Sequence, residues 1–118
     1  MAAHNEAGTL AETMTSAWLE AKGYVLLARN FRYRKAEIDL VMVDQETLLF
    51  IEVKFRSGIG FGFAEEFVDR PKKKLLIQAA DHFIHSRNWK KDIRFDIVSV
   101  YKDQRGVFHF RQFKDAFY

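Results

Sequence analysis

Two apolar stretches, AEIDLVMV (36–43) and LLFIEVKF (48–55), are separated only by DQET, and this spacing constrains the fold more than any other feature. Both are rich in β-branched or aromatic residues, and so short a polar break reads as a hairpin turn. An even turn, over residues 45–46 or 44–47, fixes the register so that facing residue numbers add to 91. Val41 then faces Phe50 and Val43 faces Leu48. On the same side Asp39 lies opposite Glu52, and Glu37 opposite Lys54. The other side pairs Ile38 with Val53, Leu40 with Ile51 and Met42 with Leu49, and is wholly apolar. One face is therefore core throughout, while the other is core near the turn and charged at its open end.

Charge inside an apolar strand is costly unless it is paired, bound to metal or used. Facing side chains have Cβ atoms ~4.5–5.5 Å apart, and like charges so placed are destabilising. Two carboxylates about 5 Å apart, at an effective dielectric of ~20, repel by roughly 3 kcal/mol. Two readings answer this. In one, Lys54 bridges Glu37 and Glu52 in a structural ion cluster. In the other, a divalent cation sits between Asp39 and Glu52, and an oxygen-only donor set suits Mg²⁺ or Mn²⁺ better than zinc. The D…ExK spacing alone favours the first; alternation of charge within apolar strands and the face-to-face acids favour the second.

The flanking segments supply the rest of an α/β domain. Residues 1–8 are small and polar and read as a loose tail, followed by a single domain over 9–118. TLAE has the form of a capping box, Thr9 with Glu12, opening a helix over about 10–22 with Leu10, Met14, Trp18 and Ala21 at helical spacing and Gly23 as its stop. YVLLARNFRYR is a strand. RSGIGFGF, with Gly58, Gly60 and Gly62, is a loop. Asp69 and Pro71 begin a second helix whose apolar face is Leu75, Leu76, Ala79, Ala80, Phe83 and Ile84, ending near Asn88. IRFDIVSVY and VFHFRQF are the last two strands. The order α-β-β-β-α-β-β predicts a mixed sheet with helices on its faces.

Composition excludes several classes. The 118 residues contain no cysteine, so disulfides and thiolate metal sites are ruled out. No apolar run approaches the ~18 residues of a membrane helix, and the N-terminal residues lack a signal-peptide pattern. A cytoplasmic protein with no membrane partner is expected. The net charge of +3 permits a nucleic-acid partner without requiring one.

At AEIDL and EVK, with twelve residues between Asp39 and Glu52, the chain resembles the metal site of PD-(D/E)xK nucleases. The series WLEAKGYVLLARNFRYR, AEIDLVMV, LLFIEVKFRS, FGFAEEFV, KKKLLIQAA and RFDIVSVY resembles more closely the uncharacterised YraN family, regarded as distant relatives of archaeal Holliday junction resolvases. The resemblance covers nearly the whole chain and implies the restriction-endonuclease-like α/β/α fold. It also implies Asp39 and Glu52 as metal ligands, the Val53 carbonyl as a third, and Lys54 as the group that orients or activates water. Glu12 matches an acid that resolvase-like relatives use near the metal, although it also fits the capping box. The family usually has glycine where this chain has Ala11 and Ala36, and the acids beside them are kept. Relatives of this kind tend to be dimers, because a two-fold symmetric substrate needs two sites.

The remaining candidates are weighed against plainer roles. Glu37 reads as an ion-pair partner of Lys54, and Asp96, near Arg94, as structural. Lys72, Lys73 and Lys74 crowd the first turn of a helix, where the macrodipole disfavours cations. They read equally as a solvated face or, with Arg32, Arg34, Lys35 and Arg56, as a track for a nucleic-acid backbone. Phe61 and Phe63 read as packing residues before base-stacking ones. The four histidines share no metal-site spacing. The expectation is a Mg²⁺- or Mn²⁺-dependent endonuclease acting on structured DNA, branched DNA included. The alternatives are a non-catalytic nucleic-acid-binding module or a protein-interaction module on the same fold.

Overall fold

The hairpin register forms as the apolar alternation demands. In a computed structural model that describes residues 6–57 and 70–117, the elements are α1 (Glu6–Glu20), β1 (Val25–Tyr33), β2 (Ala36–Asp44), β3 (Thr47–Ser57), α2 (Arg70–Ser86), β4 (Asp92–Lys102) and β5 (Phe108–Phe113). Leu40 faces Ile51, Val41 faces Phe50, Met42 faces Leu49 and Val43 faces Leu48, around a turn at residues 45–46 in which Gln45 has φ 56°. The five strands form one sheet in the order β1-β2-β3-β4-β5. β3 and β4 are parallel and the other neighbours antiparallel, because only the β3–β4 connection contains a crossover helix. The glycine-bearing loop with Phe61 and Phe63, the FGFAEEFV stretch and the Asp69 cap lie outside the described residues.

Each face of the sheet carries one helix and one core. Leu40, Met42, Leu49, Ile51, Val98 and Val100 pack under α1 with Ala11 and Leu19. On the opposite face Ile38, Val41, Leu48, Phe50, Phe95 and Ile97 pack under α2 with Leu76, Ala79, Ala80 and Phe83. This is the α/β/α arrangement expected from the element order. Among the described residues, no helix is long and apolar enough to cross a membrane.

The first helix differs from its expected form. It begins at Glu6, so Thr9 lies inside it and closes no capping box. Its buried side is Ala11, Glu12, Thr15, Ser16 and Leu19, not the stripe through Leu10, Met14, Trp18 and Ala21. Leu10 is exposed, and Trp18 is half-buried, stacked on Phe110 with the Lys22 ammonium over its ring. Small side chains let the helix approach the sheet closely, which the larger apolar stripe would have prevented. Gly23 ends the helix as expected: at φ 100° its N–H donates to Glu20 O (2.9 Å) while Tyr24 N–H donates to Leu19 O (3.2 Å). Asn88, at φ 54°, ends α2 with the same pair of bonds, to His85 O and Ile84 O.

Asp96, fully buried on β4, is structural as expected. Arg94 donates to both of its carboxylate oxygens (Nε 2.8 Å, Nη2 3.0 Å), Gln112 Nε2 donates at 2.8 Å and the Asp115 amide at 3.0 Å. The Tyr24 hydroxyl accepts from both Arg94 and Gln112. The carboxylate and its hydrogen bonds hold the Arg94 guanidinium even more firmly protonated than usual. A buried charge with all its partners in place is tolerated, and losing one partner strands the others. Asp96→Ala is therefore expected to lower unfolding free energy by about 3–5 kcal/mol in urea titrations, at the large end of single-substitution effects.

Candidate functional site

The β2–β3 ladder stops at Leu40 and Ile51, three pairs short of the Glu37–Lys54 pairing that strict alternation would reach. On β1, Arg29 faces Leu40 and Phe31 faces Ile38, so Asn30 and Asp39 fall together at a break in the regular pattern. Asn30 has φ 52°, a left-handed conformation that asparagine tolerates better than most residues. Beyond the break the strand phase is inverted. Ile38 joins Val41 and Phe50 under α2, where the expected register put it with Leu40 and Met42 on the other face. For the same reason Glu37 does not face Lys54; its strand partner is Arg32 on β1.

Asp39, released from the ladder, turns its carboxylate toward β3. Val53 N–H donates to Asp39 Oδ2 at 2.8 Å. A strand residue directs its N–H and C=O toward the same neighbour, so the Val53 carbonyl opens on the same gap. Glu52 and Lys54, flanking Val53 in sequence, place their side chains on the α2 side of the sheet, as Leu48 and Phe50 do before them.

Glu52 is buried, and its two oxygens have different surroundings. Oε2 is 2.8 Å from Lys72 Nζ and 3.8 Å from Lys54 Nζ. Oε1 is buried, with no hydrogen-bond partner among the described residues. Burial, and then the adjacent Glu52 carboxylate, push the Asp39 carboxyl well above the usual carboxylate range; the Val53 amide pulls the other way, and Glu12 adds a smaller push. Burial, and then a hydrogen bond with Lys72, draw Lys54 below the usual lysine value although Glu52 opposes them. Burial also works against the charge on Lys72, but Glu52 more than offsets it and holds that ammonium above its ordinary value.

Glu12 approaches from the other face. Its buried carboxylate accepts from Asn30 Nδ2 (3.1 Å) and lies 3.8 Å from the Arg29 guanidinium. With no capping box to close, Glu12 instead stands beside the irregular Asn30–Asp39 step. The methyl groups of Ala11 and Ala36, where relatives usually have glycine, are both buried in the cores.

The structure thus brings Asp39, Glu52, Lys54 and Val53 together and sets Glu12 within electrostatic range. Asn30, Arg29 and the site role of Lys72 were missed by the sequence reading. The signal for Lys72 was present: a cation beside Pro71 in a helix's first turn opposes the macrodipole and calls for a compensating anion. The basic residues surround the same end of the sheet. Arg56 lies two residues beyond Lys54 on β3, and Arg34 and Lys35 form the β1–β2 turn, about 13–17 Å along the chain from Asp39. Arg32, Arg34, Lys35 and Lys74 are exposed, with Lys73 and Arg56 half-buried. Arg34 covers the Tyr33 ring at 5.2 Å.

The donors suit one kind of ion. No group of three or more His, Cys, Asp or Glu side chains among the described residues converges as a metal cage. Two carboxylates and a backbone carbonyl fit Mg²⁺, which keeps several waters and uses one or two carboxylates, better than a closed zinc site. The two crowded carboxyls, with Glu52 Oε1 lacking an assigned donor among the described residues, are the feature that such an ion would satisfy.

The sequence profile of the uncharacterised protein family UPF0102 matches residues 11–100, from the buried face of α1 through β4. The chain belongs to this family. It is 41% identical to a UPF0102 protein of Flavobacterium psychrophilum over 118 residues, covering 100% of this chain and 98% of that one. A UPF0102 protein of Bacteroides thetaiotaomicron is 39% identical, with 100% and 97% covered, and one of Alcanivorax borkumensis 37%, with 94% and 90%. This fits the YraN-like resemblance; the UPF0102 description itself assigns no activity.

The raised Asp39 pKa has a consequence for stability. The folded protein holds that proton more tightly than the unfolded chain, so Asp39's contribution is most favourable at low pH and is lost as pH rises through the raised pKa. In chelator, Asp39→Asn should be more stable than wild type at pH 8, by about 1–2 kcal/mol, because it removes a buried like-charge conflict. The difference should shrink toward pH 4, as thermal melts of the two proteins across that range would report.

Proposed function

We propose that this protein is a Mg²⁺- or Mn²⁺-dependent endonuclease that hydrolyses phosphodiester bonds in structured DNA, branched DNA among them. The observation that carries the reading is the pair of buried carboxylates, Asp39 tied to the Val53 amide at 2.8 Å and Glu52 beside it with Oε1 lacking an assigned donor among the described residues. A protein does not retain a buried like-charge conflict for stability, and such conflicts cluster where chemistry requires them. Asp39, Glu52 and the Val53 carbonyl would hold the ion, which supplies charge stabilisation at the phosphoryl oxygens and lowers the pKa of water.

The chain's own residues do the rest. Lys54, on the same strand as Glu52 and 3.8 Å from its carboxylate, orients the attacking water and stabilises its deprotonated form. Burial draws Lys54 below the ordinary lysine value, the direction that makes a lysine better suited to proton transfer. Asn30 and Arg29 fix the Glu12 carboxylate behind Asp39, where it adds negative potential that favours cation capture. Arg32, Arg34, Lys35, Arg56, Lys73 and Lys74 ring this end of the domain and would neutralise backbone phosphates without reading sequence.

One observation favours a second reading. The Lys72–Glu52 ion pair already compensates one carboxylate, so the cluster is tolerable without metal and serves equally a non-catalytic nucleic-acid-binding module. Calorimetric titration with Mg²⁺ and Mn²⁺ separates the two. The nuclease reading expects binding in wild type, loss in Asp39→Asn and Glu52→Gln, and cleavage of branched or linear DNA. Lys54→Ala should keep metal affinity within about threefold and lower the cleavage rate by about 10²-fold or more. Metal binding without cleavage of any DNA would leave an inert module. No metal binding in any protein of the series would remove the metal-centre reading altogether.

A further inference from the structure

We infer that Lys72 is a resident cation of the site: its ammonium holds the place of a positive charge on Glu52 and competes with the divalent ion for it. This rests on the metal-centre reading above and concerns how that centre is filled. Of the two ammonium groups near Glu52, Lys72 is much the closer, at 2.8 Å against 3.8 Å for Lys54. The contact joins α2 to β3, since Lys72 comes from the first turn of a helix where a cation has no local reason to be. It lands on one of the most buried carboxylates in the described chain, with the Lys72 side chain itself 40% exposed. Of the two partners, the part-exposed ammonium on its four-carbon stem is better able to yield than the buried carboxylate.

The carboxylate oxygens show why exchange follows. Glu52 presents Oε2 to Lys72, while Oε1 is buried with no assigned hydrogen-bond donor among the described residues and the Asp39 carboxyl lies beside Glu52. A divalent ion shared by Asp39 and Glu52 would draw on the same carboxylate as the Lys72 ammonium, and like charges brought that close repel. The ion and the ammonium therefore cannot both hold Glu52 at full strength. Without metal, Lys72 offsets the two acids and keeps the fold intact. With metal, the ammonium is displaced toward solvent.

The test compares Mn²⁺ affinity by calorimetry in wild type, Lys72→Met, Lys72→Gln and Lys72→Arg, with melting temperature in chelator as a second readout. Both neutral variants should bind Mn²⁺ about tenfold or more tightly than wild type and melt at lower temperature without metal, with added Mn²⁺ restoring the loss. Lys72→Arg, which keeps the charge, should stay close to wild type. In the wild-type protein the NMR signal of the Lys72 side-chain terminus should shift as Mg²⁺ saturates, with that of exposed Lys74 unmoved. Binding by wild type with unchanged or weaker affinity in the neutral variants would overturn the inference and leave the metal centre standing, as would a static Lys72 signal at saturation. Mn²⁺ binding in the neutral variants but not in wild type would support it in its strongest form. No binding in any protein would overturn both readings together.

Discussion

The hydrogen bond from the Val53 amide to the Asp39 carboxylate organises this end of the molecule. An antiparallel ladder satisfies its backbone groups strand to strand, and here one of those donors is given to a side chain. Three consequences follow from that substitution. The ladder ends at Leu40 and Ile51, a carboxylate is held in the opening between strands, and the carbonyl of Val53 is left facing the same opening. The phase inversion at Asn30 and Asp39 completes the arrangement, because it lets the strand continue as core on the other side of the break. The hairpin is thus regular where it needs only to pack, and irregular where it holds charge.

The charges are balanced across elements that are distant in sequence. Asp39 and Glu52 come from the hairpin, Glu12 from α1, Lys54 from β3 and Lys72 from α2. Within this cluster of described residues, the one same-element pair of opposite sign is the loose 3.8 Å contact between Glu52 and Lys54. Docking of the second helix is therefore also an electrostatic event, since it delivers the ammonium that Glu52 needs. Apolar contacts of Leu76, Ala79, Ala80 and Phe83 supply the affinity for that docking, and Lys72 makes its position specific at the end where the apolar contacts run out.

Much of this was legible in the sequence, and the limits have physical causes. The β2–β3 register followed from turn length and alternation, because a period-two pattern with one apolar face leaves a single acceptable pairing. The α2 face and the positions of Gly23 and Asn88 at helix ends were legible for similar reasons. Ile38 and Glu37 were misplaced because alternation was extended through Asp39, and no local signal marks a left-handed residue on the neighbouring strand apart from its being asparagine. The α1 face was misread because the largest apolar residues were assumed to be the buried ones; close packing here favours Ala11, Thr15 and Ser16 instead. The site was legible in Asp39, Glu52 and Lys54. Asn30, Arg29 and Lys72 join it through tertiary proximity that no spacing rule encodes.

The Asp96 network bears on how the domain assembles. It joins Tyr24, just after the first helix, to Gln112 on the last strand, a separation of 88 residues, and to Asp115 beyond it. The Arg94, Gln112 and Asp115 bonds to Asp96 need only β4 and the chain that follows it, but the Tyr24 hydroxyl joins only when the segment after α1 also lies against β4. Loop-closure entropy for that long separation is spent before the last bonds form, which places completion of the network late in folding. The same topology works in reverse once the domain is folded. Opening β5 alone would expose a buried carboxylate together with its guanidinium, so that strand is coupled to the centre of the sheet although it sits at an edge. Slow amide exchange on β5, close to that of the central strands, is the signature such coupling leaves.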